Sequence, residues 1–246
     1  GVGLWVRSRV PETPEFLQLR SERPAAVRRS SLRVVLRRDW RGLATVTVVA
    51  LGSNAVSYTF KTFSIAYVAD YQGVDTRSST LALSVAALVS IAAVPVVGWL
   101  CDRYCAGTVF AVTGVLSGLF AFPFLALLQD ASEVALMTAM LIGTGFLVPA
   151  LLGSQGAFYA AQFPVDTRTT GVGTGREVGG SISGALAPLG ALALVAASPT
   201  NSTVGVGIVI VAASVCIAVF SLLRRTGVQE RRPAAEPTPV LAHPTA

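Results

Sequence analysis

Residues 81–103 read LALSVAALVSIAAVPVVGWLCDR, an apolar run that ends in an acid and a base, Asp102 and Arg103. Every position from 81 to 100 is uncharged. At about 1.5 Å per residue, a helix over these positions crosses the hydrocarbon core of a bilayer, which is roughly 30 Å thick. The stretch therefore predicts a transmembrane helix whose charged end lies at a membrane surface.

Five further apolar stretches of similar length accompany this one. Hydrophobic residues make up 52% of the chain and charged residues only 13%, whereas soluble domains carry about 25% charged residues. We therefore predict an all-α membrane protein with six transmembrane helices. The predicted spans cover residues 42–68, 81–100, 109–128, 134–157, 173–197 and 204–223.

Charge is sorted between the loops that join these spans. Of the 19 basic residues, all except Lys61 and Arg77 fall on one side or at its boundary. Because basic residues collect on the cytoplasmic side, we predict that both chain ends are cytoplasmic. The net charge of +6 then reflects topology and contact with anionic lipids, so membrane lipids are predicted partners and nucleic acid is not. The opposite loops hold acidic residues: Asp70, Asp75, Asp130 and Glu133.

Composition divides the chain into four segments. Residues 1–6 are predicted to be the end of a truncated transmembrane helix, since the chain opens without methionine, and residues 7–41 form a basic cytoplasmic connector. Residues 42–223 carry the six spans, and the Pro- and Ala-rich residues 224–246 are predicted to be a disordered cytoplasmic tail. Within the connector, residues 30–40 favour either a solvated linker or an amphipathic helix with one face toward lipid. That face would hold Leu32, Val35, Leu36 and Trp40.

Small residues and prolines recur inside the spans. Glycines at four-residue spacing let helix backbones approach closely in lipid, and a proline removes a backbone donor and can kink its helix. These patterns predict a tightly packed bundle with bends. The glycine pairs are Gly175/Gly179, Gly180/Gly184 and Gly114/Gly118, and the prolines are Pro95, Pro123, Pro149 and Pro188.

Three motifs stand in order along the chain. Gly98, Asp102 and Arg103 resemble the G-x-x-x-D-R core of the loop signature of major facilitator transporters, although Tyr104-Cys105-Ala106-Gly107 replaces its usual glycine and basic continuation. Residues 7–16 resemble R-x-x-x-x-E-[ST]-P-x-F, and residues 162–171 resemble F-P-x-x-x-R-x-x-G. Together they are similar to the metabolite:proton symporter branch of that superfamily.

The resemblance implies a fold and a function. The chain would be the C-terminal half of a twelve-helix bundle, and its partner would be a missing N-terminal half of six helices. Such carriers move a small organic acid or a zwitterion together with protons, by rocking two halves around a site near the membrane midplane. It also implies a plasma-membrane protein, with the bacterial inner membrane the favoured location. The resemblance assigns a cytoplasmic gate to Gly98, Asp102, Arg103 and Arg168.

Polar residues inside the spans are costly in a bilayer and therefore mark candidate sites. Asn54, Ser57, Tyr58 and Lys61 step by three or four residues and are predicted to share one helix face. We expect Asn54 and Tyr58 to bind the solute by hydrogen bonds and Lys61 to attract a carboxylate, unless Lys61 extends to the outer interface instead. Gln155 is a further candidate for the cavity.

Glu177 is the acidic residue that falls inside a predicted span. A carboxyl group buried there could take up and release a proton, which coupling to a pH gradient requires. The alternative is a surface pair with Arg176 or Arg168 near the helix N-terminus, where negative charge is favoured.

Other functions fit the sequence less well. The one histidine, His243, lies in the predicted tail, and no nucleophile–base pair, metal cluster or phosphate-binding loop stands out, so we predict neither an enzyme nor a cofactor. Cys101, Cys105 and Cys216 indicate neither a disulfide nor a metal site. Within membrane proteins, a sugar-porter-like carrier, a six-helix permease subunit or channel, and a half that no longer transports remain alternatives.

Overall fold

The computed structural model describes residues 32–130, 132–199 and 202–224. Six of the helices in these residues are long and apolar enough to cross a membrane, which confirms the predicted six spans. The predicted segment 1–6, most of the connector and the tail beyond Arg224 lie outside the described residues. The helices are α1 (Leu32–Arg38), α2 (Trp40–Gln72), α3 (Thr76–Arg103), α4 (Ala106–Gln129), α5 (Glu133–Ala160), α6 (Arg168–Ala196) and α7 (Val204–Leu223).

The helices extend beyond the apolar windows that predicted them. Helix α3 begins at Thr76 rather than 81, because the Asp75 side chain accepts a hydrogen bond from the Arg77 amide at 3.2 Å. Helix α5 begins at Glu133, where the Ser132 hydroxyl accepts from the Ala135 amide at 3.1 Å. Such polar caps satisfy the free amides of a first turn, so a helix continues past the hydrocarbon boundary that hydropathy detects.

Part of the connector is helical. Helix α1 spans Leu32–Arg38 and leans against α6 and the start of α2. Leu32, Leu36 and Trp40 are exposed as expected of an amphipathic helix, but Val35 is fully buried in the core. The prediction that Val35 faces lipid was therefore wrong, because α1 rests on the bundle with that side.

Three helix pairs make the most extensive contacts: α2 with α6, α4 with α7, and α3 with α5. The contact of α2 with α6 runs along four glycines, which we call the glycine seam (Gly175, Gly179, Gly180 and Gly184 against α2). A Cβ atom at Gly179 would strike the Thr47 carbonyl oxygen and lie 2.8 Å from the Leu51 nitrogen. The predicted close approach of helix backbones is thus confirmed.

The second glycine pair also packs as predicted. A Cβ atom at Gly114 would lie 2.9 Å from Ile217 Cγ2, and one at Gly118 would lie 3.0 Å from Ser214 Cβ, both on α7. Helix α4 therefore presents its glycines to α7, so the third and sixth spans form a close pair.

Two membrane helices contain a turn of π-helix. In α2 the π turn covers Thr59–Phe63, and in α5 it covers Leu141–Leu147. The Phe60 and Phe124 rings pack between them with centroids 4.6 Å apart. Both rings are fully buried, so the aromatic core of the bundle lies beside these turns.

Helices α3 and α6 are the least enclosed of the six. Only 22% of the most apolar window of each is buried, against 39% or more in the other four helices. Each of these two helices packs along one face and leaves the remainder of its surface open.

Candidate functional site

A cavity of about 340 Å³ opens between α2, α3 and α5. Lys61 is the one charged side chain among the described residues that line it, and Ser90 and Thr144 supply hydroxyl groups. The remaining walls are apolar, so the cavity suits a small molecule with one anionic group. Those walls are formed by Leu83, Ala87, Val94, Val148, Pro149 and Leu152.

The two π turns shape this cavity. Lys61 lies in the π turn of α2 and Thr144 in that of α5, and the Thr144 hydroxyl donates to the Phe60 carbonyl at 3.4 Å. Pro149 lies two positions after the second turn and has no amide to donate. A π turn widens the helix locally and is frequent at functional sites. The two π turns therefore place the Lys61 ammonium group and the Thr144 hydroxyl in the wall of the same cavity.

Lys61 lies opposite the middle of the neighbouring helices. Ser90, which lines the same cavity, stands at the midpoint of α3 and donates to the Ala87 carbonyl at 2.6 Å. Lys61 is half-buried and forms no ion pair with any described residue. Its ammonium group therefore has no counter-ion there that would compete with a solute. This position favours a place in the cavity over extension of the side chain to the outer membrane interface.

The predicted polar stripe on α2 divides between two surroundings. Asn54 donates to the Ala50 carbonyl at 2.8 Å and lies beside Gly180, while the Tyr58 ring would be 3.2 Å from a Cβ atom at Gly184. Both side chains thus lie along α6, whereas Lys61 lines the cavity against α3 and α5. The side chains of the predicted stripe therefore do not share one set of neighbours, and a π turn begins at Thr59, between Tyr58 and Lys61.

Ser57 of the predicted stripe turns back onto its own helix. It is buried and donates to the Ser53 carbonyl at 2.8 Å, so its hydroxyl is already occupied.

Gln155 is buried within the bundle and does not line the cavity described above. It is 6% exposed, and its Oε1 has no hydrogen-bond partner among the described residues. Nearby on α5, Tyr159 is also buried, with its hydroxyl 3.4 Å from Ser53 Oγ and its ring edge-on to Phe110. These two polar side chains therefore lie inside the core, away from the cavity that Lys61 lines.

The predicted cytoplasmic gate lies on an open surface. A Cβ atom at Gly98 would meet nothing within 4 Å in the described residues, so this glycine makes no close helix contact there. The Arg103 guanidinium lies 5.8 Å from the centroid of the Trp99 ring, and Asp102 forms no ion pair with it. Among the described residues, the acid and the base of this motif therefore do not pair with each other.

Other polar contacts form near this end of the bundle, between α1 and the loop that precedes α6. Arg38 at the end of α1 forms an ion pair with Asp166 at 2.8 Å, and Thr167 donates to the Asp39 carboxylate at 2.7 Å. We call these two contacts the strap; it joins α1 to the loop between α5 and α6. Sequence reasoning missed it, although the opposite charges on loops of the same predicted side were a signal. Arg168 starts α6 beside it, with Nε buried and no partner among the described residues.

Phe163 explains the spacing of the third motif. Its ring is buried against Gly42 and Gly171: a Cβ atom at Gly42 would lie 3.3 Å from its Cε1, and one at Gly171 would overlap the ring. The glycine eight residues after the phenylalanine thus provides the space that the ring occupies.

Glu177 lies on the open side of α6. Its side chain and that of Arg176 are exposed, while Gly175 and Gly179 face α2. It forms no ion pair with Arg176 or Arg168 in the described residues, so the alternative of a surface pair is not observed. Glu177 lies within the membrane-crossing helix α6, where a carboxylate in contact with lipid is costly.

Comparison with known proteins assigns the family. The sequence profile of the Major Facilitator Superfamily matches residues 2–188 and, in an overlapping match, residues 43–244. The chain belongs to the Major Facilitator Superfamily. No solved structure matches it.

Curated relatives within this superfamily are transporters by name. The alpha-ketoglutarate permease of Escherichia coli is 26% identical over 193 residues, which cover 78% of this chain and 43% of the relative. The ectoine/proline transporter ProP of Corynebacterium glutamicum is 25% identical and the shikimate transporter of E. coli 26%, with 39% and 44% of each relative covered. The resemblance to the metabolite:proton symporter branch is confirmed, and the chain spans about two fifths of these relatives' length.

Proposed function

We propose that this chain forms one half of a secondary transporter that moves a small organic acid or a zwitterion together with protons. The support is the superfamily membership, relatives named for alpha-ketoglutarate, ectoine or proline, and shikimate, and the cavity with Lys61 in its wall. Transport would follow from rocking of two halves that expose a midplane site to each side in turn.

The observation that carries the proposal is Lys61 in the 340 Å³ cavity. Lys61 has no counter-ion among the described residues, and apart from the hydroxyls of Ser90 and Thr144 the recess around it is apolar. Such an ammonium group favours a carboxylate, because an ion pair is stronger where water is scarce. A neutral sugar offers no charge for this group to bind. The cavity therefore supports an organic acid or a zwitterion over the sugar-porter alternative.

The second half would cover the open faces of α3 and α6. Their exposed surfaces include Glu177 and Arg176 on α6 and the end of α3 with Gly98, Asp102 and Arg103. Because charges are costly in contact with lipid, an N-terminal half or an aqueous path accounts for them better than hydrocarbon does. In this proposal Gly98, Asp102, Arg103 and Arg168 form the cytoplasmic gate, and both chain ends lie in the cytoplasm of a bacterial cell.

Replacing the cavity cation tests the substrate class. In the complete carrier, Lys61→Ala is expected to weaken the apparent affinity for organic anions about tenfold or more, because a charge-assisted contact is lost. Uptake of labelled oxoglutarate, shikimate and proline would be measured in proteoliposomes. The matched control is Thr62→Ala, which alters an exposed neighbour in the same π turn. Unchanged affinity of Lys61→Ala for every acid and zwitterion would remove the assignment.

Proton coupling is tested at Glu177. If this carboxylate carries the proton, Glu177→Gln abolishes uptake driven by a pH gradient but preserves exchange of internal for external solute, since the amide cannot titrate. The measurement compares gradient-driven uptake with counterflow in the same vesicles. Gradient-driven uptake at the normal rate in Glu177→Gln would place the coupling group elsewhere.

A further inference from the structure

We propose that α1 and the first turn of α2 form a binding site for the headgroups of anionic phospholipids. The site is one continuous surface of apolar and basic side chains, which we call the basic–apolar face. It consists of Leu32, Leu36 and Trp40 beside Arg33, Arg37 and Arg41.

The spacing places these side chains in two neighbouring rows. Leu32 and Leu36 are four residues apart in α1, and Arg33 and Arg37 repeat that interval one position later, so the two rows run side by side along the helix. All four side chains are exposed. Apolar side chains beside a row of arginines are the composition of helices that lie in the membrane interface.

The opposite side of α1 fixes which way this face points. Val35 is fully buried against the bundle, and Arg38 is held by Asp166 in the strap. Asp39 accepts the hydrogen bond from Thr167. Since these three residues are engaged with the protein, the basic–apolar face points away from it.

The position of α1 at the end of a membrane-spanning helix places the basic–apolar face at the level of the headgroups. The membrane-crossing helix α2 begins at Trp40, two residues after α1 ends, so α1 lies at the end of a span. The Arg41 guanidinium lies 5.6 Å from the centroid of the Trp40 ring. At the end of a span, the guanidinium groups can bind the phosphate oxygens of the headgroups, and the Trp40 indole can contact the adjoining acyl chains.

Charge decides the kind of lipid. The face carries three arginines, and the acidic side chains next to it among the described residues are engaged elsewhere: Asp39 accepts from Thr167, and Asp166 pairs with Arg38. Each arginine near an anionic surface is worth about fivefold in association. The site should therefore select phosphatidylglycerol over phosphatidylcholine.

Quenching of Trp40 fluorescence by brominated lipids tests this selection. The full chain carries Trp5→Phe and Trp99→Phe, so Trp40 is the remaining tryptophan. It is reconstituted in nanodiscs of an equimolar phosphatidylglycerol/phosphatidylcholine mixture, in which either the first or the second lipid bears bromine. Because each of the three arginines contributes about a factor of five, we expect the ratio of phosphatidylglycerol to phosphatidylcholine at Trp40 to exceed that of the mixture by well over fivefold.

The variant Arg33→Gln/Arg37→Gln should lower this excess to about fivefold or less, which is what Arg41 alone can supply. Arg41 stays unchanged, because its contact with the Trp40 ring would alter the emission directly. The control Arg77→Gln/Arg103→Gln removes two exposed arginines elsewhere and should keep the enrichment. Circular dichroism establishes that each variant retains its helices.

Three outcomes would overturn the proposal. Equal quenching by the two brominated lipids in the unaltered face would show no selection. Loss of selection in the control as well would indicate a general charge effect. Absence of quenching by either lipid would show that another protein surface covers the face.

Discussion

Helix α2 has two sides that differ in how they pack. On the glycine seam its backbone touches that of α6, so that even a Cβ atom at Gly179 finds no room. On the side of α2 that faces α3 and α5, the π turn at Thr59–Phe63 borders a cavity of about 340 Å³. The difference predicts that α2 and α6 stay packed together, and under the proposed function a solute would bind and leave on the cavity side.

Breaking the seam should have the largest effect on stability. Gly179→Ala places a methyl group against the Thr47 carbonyl and the Leu51 nitrogen, and backbone cannot yield as a side chain can. We expect a loss of about 3 kcal/mol in the free energy of unfolding, at the upper end for overpacked cores. Denaturant titration in mixed micelles measures it.

Gly190→Ala is the matched control for this change. A Cβ atom at Gly190 meets nothing within 4 Å, so alanine should be neutral or stabilise α6 by up to about 1 kcal/mol. If the two variants unfold alike, close backbone contact does not hold the seam.

Cutting the strap should have a much smaller effect. Asp166→Asn removes the ion pair with Arg38, whose side chain is 56% exposed against 16% for Asp166. Exposed pairs contribute about 0.5 kcal/mol and are screened by salt. A double-mutant cycle with Arg38→Gln should give that coupling in low salt and nearly none in 1 M salt. A coupling that high salt does not reduce would mean that the pair is far better shielded than its exposure implies.

Filling the cavity should leave stability unchanged and still reduce transport severalfold. Ala87→Leu adds bulk to an exposed wall of the opening, so we expect a change of less than about 0.5 kcal/mol in unfolding free energy. Uptake by the complete carrier should nevertheless fall severalfold, because the solute loses its space. Ala92→Leu, at an exposed position of α3 outside the lining, is the control. Normal uptake by Ala87→Leu would separate this cavity from the transport path.

Hydropathy and spacing predicted the parts of the fold that depend on local sequence. The six spans follow from long apolar windows, and the last one, residues 204–223, matches α7 at both ends. The glycine spacing predicted close helix contact, but it could not name α2 as the partner of Gly179, since that choice depends on the whole bundle.

The candidate site was less accessible to sequence reasoning. Lys61 could be singled out because a lysine within an apolar span is unusual, yet Thr59–Phe63 carries no local mark of a π turn, so the turn was missed. Likewise, Arg38 and Asp166 are 128 positions apart, and only the folded chain brings them together. Pro149, which follows the second π turn, was the one local signal of irregular helix nearby.

The ring of Phe163 has a consequence for how this region can vary. This ring lies against two glycines on different helices, Gly42 and Gly171, but the two differ in what limits them. The three nearest neighbours of a Cβ atom at Gly171 would all be ring atoms, whereas a Cβ atom at Gly42 would also lie 2.8 Å from the Gln162 carbonyl oxygen, which no exchange of the phenylalanine removes. Alanine at Gly171 should therefore become tolerable once the phenylalanine has been exchanged for something smaller, and a smaller group alone leaves a void. These two positions form a linked pair for mutational libraries of this chain, while Gly42 should stay fixed.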